Sequence, residues 1–314
     1  MAGLAVAVLA VAGLAVAGLA VAGCSSPPAA PHLASPSASP AAARAAAAPS
    51  ARPHATRRPA PPPPPPRVTV IRTRTADGSV VTVATFSGPV TYVLHNGSED
   101  PGYAAGRVQA GPVVRGAERG RLLAAFNGGF KLSAGAGGYE QEGHVASPLR
   151  RGLASLVIDR SGRARIGVWG HGVPAPGEAV YSVRQNLPPL VLNGKPTAAA
   201  AGWGLWGATL GGGEYVARSA LGQDAAGDLL FAASMSATPA DLAAVLAWVG
   251  ARTAMELDIN PEWVQLDVAS RPGGPPRAAL RGQNRPADQF LLGWARDFIT
   301  VLAPPAAAGT GTGA

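Results

Sequence analysis

The sequence predicts an α+β domain, a mixed and largely antiparallel β-sheet with packed helices, forming a single domain after a disordered stalk. Short runs rich in β-branched and aliphatic residues, punctuated by Asp/Gly turns, recur along residues 68–304. One amphipathic helix stands out, in "TPADLAAVLAWVGA". It follows a two-stranded hairpin and runs at once into a strand that ends in acids, a compact α+β unit.

The elements follow in order. Residues 1–24, "MAGLAVAVLAVAGLAVAGLAVAGC", form an uncharged apolar run that ends in small residues. This resembles a bacterial lipoprotein signal, which would be cut before Cys24 and leave that thiol to be lipidated. Its n-region lacks the usual Lys or Arg. Cys24 is the only cysteine, so an intrachain disulfide is excluded. Residues 25–67 are rich in Pro, Ala and Ser and read as an extended spacer between membrane and domain, since they have too little apolar surface to offset the entropy of ordering. The folded unit is expected at 68–304, with 305–314 a disordered tail.

Within the domain, "VTVIRTRT" (68–75) turns through "ADGS" into "VVTVATF" (80–86). Residues 152–170 and 216–234 each read as a hairpin, with turns at Arg160–Gly162 and Asp224–Gly227. In the helix, Thr238 serves as N-cap, Pro239 takes the first helical position, and Leu242, Val245, Leu246 and Val249 make one apolar stripe ended by Gly250.

Charge excludes more than it suggests. The net charge is +8, but residues 1–67 hold five Arg and no acid. Beyond them, 21 basic residues face 18 acidic ones. The basic excess belongs mainly to the stalk, which suits an anionic membrane or wall surface and argues against a nucleic-acid partner.

Several chemistries lack their residues. No G-x-S-x-G elbow or P-loop occurs, and "AGAGGYE" puts Glu140 where a dinucleotide fingerprint needs Gly. Scattered histidines exclude a zinc motif. What remains is "AAFNGGFKL" (124–132), "ARSALG" (217–222) and "MELDINPEW" (255–263). The last reads as a buried strand in which Glu256 and Asp258 alternate with apolar residues, so both acids should point to one face with Cα atoms roughly 6.5–7 Å apart.

These three segments, in this order and with the helix between the last two, resemble the phosphodiester glycosidase family. The segments "GLASLVI", "VRQNLPPLV", "WGATLGG" and "ARDFITVL" carry the same likeness, which covers about 120–300. Where the family has glycines and a Ser after Leu257-Asp258, this chain has Ile259-Asn260-Pro261-Glu262.

The resemblance implies a hydrolase of sugar-phosphodiesters or related wall glycans. Asp258 would be nucleophile or base, Glu256 its partner and His144 an acid. Asn127, Gly128 and Gly129 would hold substrate, and Arg218 and Arg150 (or Arg151) would bind phosphate. The acid pair also suits a divalent cation. Trp203 and Trp206 could stack on sugars or belong to the core. Two alternatives stay open: a catalytically silent wall-glycan-binding lipoprotein, and a glycosidase or transferase acting on a glycan without phosphate. The expected location is exported, lipid-anchored on the outer face of the bacterial cytoplasmic membrane, with an envelope carbohydrate or sugar-phosphate polymer as partner.

Overall fold

The computed structural model describes residues 64–102, 108–207 and 212–305, all of them in the unit Ala60–Ala314. The expectations for the signal, Cys24 and most of the stalk and tail lie outside the described residues.

The α+β expectation is corrected. Among the described residues strand outweighs helix, 39% against 13%, and the three helices are short. The described strands form three sheets, of seven, six and five strands. Their ladders are antiparallel except where Ala164–Trp169 meets Gly172–Val173 in parallel.

The reason lies in what packs on what. Phe86 and Phe231 of the seven-stranded sheet pack against Phe126 of the five-stranded sheet, with centroids 5.5 and 4.9 Å apart, the first pair stacked and the second tilted. Ala154, Leu156 and Ile158 of the six-stranded sheet join the same cluster. Sheets bury one another, and helices only cover outer faces. Phe290 of the short helix Gln289–Leu292 packs with Leu122, Ala125 and Phe298 of the five-stranded sheet, and a longer helix covers an outer face of the seven-stranded sheet. Alanines such as Ala124, Ala232 and Ala233, which favour helix in isolation, lie in these strands because tertiary packing overrides local propensity.

The helix covering that outer face is Pro239–Trp248. The Thr238 hydroxyl accepts from the Asp241 N–H at 3.1 Å, and the Asp241 carboxylate accepts from the Thr238 N–H at 2.8 Å. This reciprocal cap fixes the first turn. Leu242, Val245 and Leu246 pack with Val83, Ala220, Ala232 and Trp206.

Both read hairpins are present. Strands Ala154–Ile158 and Ala164–Trp169 are joined by a turn in which Asp159 accepts from Ser161 N–H at 2.8 Å. Val216–Gln223 and Leu229–Ala237 are joined through Asp224, which accepts from the N–H groups of Ala226 and Asp228, each at 2.9 Å. The next strand, Thr253–Glu256, pairs with Val216–Gln223 at Ala220↔Glu256 and stops there.

Candidate functional site

Because the strand ends at Glu256, the two acids do not share a face. Glu256 turns toward the helix-covered layer and is fully buried. Its Oε1 accepts from Arg218 Nη1 at 2.6 Å, while the same guanidinium donates to the carbonyls of Ala237 (3.0 Å) and Trp206 (3.1 Å). Burial pushes the Glu256 carboxyl up to about 8, and Arg218 pulls against it. Arg218 is therefore an internal counterion rather than a phosphate contact open to solvent. Glu256 is not available as partner to Asp258, and with one acid held by Arg218 the pair does not form a cation site.

Asp258 instead reaches a cavity of about 570 Å³, lined among others by Phe130, Lys131, Leu187, Ile259 and Arg296. Its Oδ1 accepts from the N–H groups of Ile259 (2.8 Å) and Asn260 (2.9 Å), closing a turn in the place of the family's glycines. Its Oδ2 lies 3.4 Å from Arg296 Nη2. Burial raises the carboxyl to about 6, against the pull of Arg296 and the two N–H groups.

Arg296 was not foreseen, and it organises the site. Its Nε lies 3.2 Å from Asp100 Oδ2, and its Nη2 donates to Gly129 O at 3.1 Å. The Trp263 ring lies under its guanidinium at 5.7 Å. The next residue, Asp297, is buried and pairs with Arg184, which donates from Nε at 2.8 Å and Nη2 at 3.3 Å. Arg184 also donates to the Phe130 carbonyl, fixing a cavity wall. The signal for these residues was present in "VRQNLPPLV" and "ARDFITVL", two of the segments that carry the resemblance, where charges interrupt apolar runs.

The Asn127-Gly128-Gly129 segment has a different use from the one expected. Asn127 is buried, donating to Ser219 Oγ (2.8 Å) and accepting from Gln265 N–H (3.1 Å). It ties the end of strand Leu122–Asn127 to the residues around Asp258. At Gly128 a Cβ would overlap the Asp297 carboxylate, and at Gly129 it would meet Arg184 Cζ at 2.8 Å. The glycines admit an ion pair, not a ligand.

His144 is exposed on the outermost strand of the six-stranded sheet, His144–Ser147, and does not line the Asp258 cavity. Arg150 is also exposed, but it bonds to the Gly135 carbonyl between the lining residues Ala134 and Ala136, so it stands at the rim. Arg151 turns to the Gly170 carbonyl at 3.1 Å. Trp206 is core, donating from Nε1 to Ala199 O at 2.9 Å, whereas Trp203 is 39% exposed. A larger cavity, about 840 Å³, lies at the opposite end of Val216–Gln223. Two of its acids are matched by arginines on its own wall: Asp159 to Arg163 at 3.1 Å and Glu178 to Arg165 at 3.4 Å.

No curated protein matches the chain. Among solved structures, the zebrafish N-acetylglucosamine-1-phosphodiester alpha-N-acetylglucosaminidase catalytic domain, auto-inhibited by its pro-peptide, is 14% identical with a TM-score of 0.47, over 80% of this chain and 85% of that one. A hypothetical protein from Synechocystis is 14% identical with a TM-score of 0.44, over 78% and 64%. A protein described as exported, from Burkholderia pseudomallei K96243, is 16% identical with a TM-score of 0.27, over 76% and 58%. Residues 103–258, a span that ends at Asp258 itself, match the phosphodiester glycosidase family model.

Proposed function

We propose that this protein is a hydrolase that cleaves the glycosidic bond between a sugar and a phosphodiester, with Asp258 as its catalytic carboxylate. The observation that carries the reading is one buried carboxylate on a cavity wall that also presents two cations, Arg296 and Lys131. Glycosidic cleavage develops positive charge at the anomeric carbon, which a carboxylate stabilises. A leaving phosphodiester is already an anion of low basicity, so it needs a cation more than a proton donor. Arg296 and Lys131 supply that charge, in the roles first assigned to Arg218 and Arg150. The absence of Glu256 and His144 from the cavity then removes no step the reaction requires.

The deciding experiment is hydrolysis of UDP-N-acetylglucosamine and a panel of p-nitrophenyl sugars and sugar-phosphodiesters, with Asp258→Asn alongside. Turnover confined to the phosphodiesters and reduced at least ~100-fold in the variant is expected, the scale of losing one transition-state charge contact. Turnover that survives Asp258→Asn rejects the assignment.

One observation favours a second reading, a glycan-binding protein without catalysis. Both Asp258 oxygens already have partners, Oδ1 two backbone N–H groups and Oδ2 Arg296. Under that reading the panel is not hydrolysed and wall glycan is still bound. In either case Cys24 would tether the protein outside the cytoplasmic membrane, within reach of envelope polymers.

A further inference from the structure

The cavity at Asp258 has a neighbour. A second cavity of about 570 Å³ opens at the same end of the seven-stranded sheet, lined among others by Asp77, Ser79, Tyr215, Ser236 and Arg281. The register places it. Asp258 O accepts from Ser219 N–H near the start of Val216–Gln223, Arg218 pairs with Ser234 of Leu229–Ala237, and Ala233 pairs with Thr82 of Val80–Ser87. From strand Thr253–Glu256, which leads to Asp258, to Val80–Ser87 is three strand spacings, about 14 Å. Consecutive residues reach the two cavities. Val216 packs with Phe130, Ala136 and Ile259 of the Asp258 cavity, and Tyr215 lines the second.

The second cavity is built for a sugar rather than for apolar filling. Tyr215 is 50% exposed and lines the cavity together with Asp77. An exposed aromatic face is what a pyranose stacks on. Hydroxyls of Ser79 and Ser236 line the same space, and Arg281 is exposed with no acid at ion-pair distance among the described residues. A free guanidinium next to hydroxyls and a ring fits a sugar unit with an attached phosphate.

We infer that this cavity is a second carbohydrate subsite, with Tyr215 as stacking platform and Arg281 as anion contact, holding a further unit of a phosphate-bearing glycan whose scissile bond lies at Asp258. The inference rests on reading the Asp258 cavity as a glycosyl-phosphodiester site. It makes the substrate a polymer rather than a small diester.

The test compares two substrates, UDP-N-acetylglucosamine and a purified glycosyl-1-phosphate polymer, with full-length wild type, Tyr215→Ala and Arg281→Ala. Neither side chain belongs to the Asp258 machinery. The expected result is a KM for polymer raised about five- to tenfold in each variant, with the small substrate unaffected. An unchanged polymer KM, or an equal change for both substrates, overturns the subsite. If the wild type hydrolyses neither substrate, the glycosidase reading fails by itself. Affinity electrophoresis in gels containing the polymer then decides the subsite. Retardation of wild type that is lost in Tyr215→Ala supports it, and equal retardation overturns it.

Discussion

Asp258 and Glu256 sit two residues apart and have opposite fates, because the strand ends between them. For Asp258 the carboxyl is raised to about 6 from an ordinary 3.8. Between those values the folded state keeps a proton that the unfolded chain has lost, so rising pH costs stability while it creates the carboxylate that the proposed reaction needs. Two trends of opposite sign are therefore expected in one window. The kcat for a phosphodiester substrate falls as pH drops below about 6, and Asp258→Asn lessens the decline in urea stability from pH 4 to pH 6. An acid limb with an ordinary carboxylate midpoint would contradict this. For Glu256 the relevant fact is Arg218. Removing one member of a buried pair leaves an uncompensated charge and costs ~3–5 kcal/mol. Arg218→Met and Glu256→Leu are each expected to destabilise on that scale, and the double variant by less than either. A substrate contact would behave differently, with Arg218→Met raising KM at nearly unchanged urea midpoint.

Elements carry the part of this structure that local rules read well. The Pro239–Trp248 helix follows from Thr238, Pro239 and Asp241, and the hairpins from Asp159 and Asp224, because each signal and its partner lie within four residues. The site is held by contacts that no such window contains. Arg184 meets Asp297 across 113 positions, and Arg296 meets Gly129 across 167. Periodicity tells which face a charge takes, not which distant charge it meets. The glycines show the limit most clearly. Gly128-Gly129 correctly signals a close approach, but an arginine–aspartate pair makes that approach, not a ligand. Gly128→Ala, at the end of strand Leu122–Asn127, should therefore displace Asp297 and cost ~1–3 kcal/mol by overpacking. Its signature in thermal unfolding is a fall in Tm. A variant as stable as wild type would mean that the glycine leaves room for something other than the pair.

At the scale of the molecule, the α+β expectation failed for a related reason. One well-capped helix is conspicuous in a sequence, whereas three sheets burying each other through Phe86, Phe126 and Phe231 appear only as short apolar runs, alike for strand and buried helix. A site for a large anionic glycan is useful where such polymers are, and the one cysteine follows an apolar run that ends in Ala22-Gly23. If Cys24 carries a lipid and the 25–67 segment spaces the domain from it, the membrane is the anchor and the Pro-rich segment sets the reach. Expressed in a bacterium that processes lipoproteins, the full chain is expected in the membrane fraction and released by detergent. Cys24→Ala is expected to lose lipid labelling at that residue while keeping the fold and phosphodiester turnover of the 68–304 domain. Labelled palmitate followed by gel autoradiography separates anchoring by lipid from anchoring by the apolar run itself. A Cys24→Ala protein that stays in membranes as firmly as wild type, with neither form labelled, would assign the tether to residues 1–23 instead.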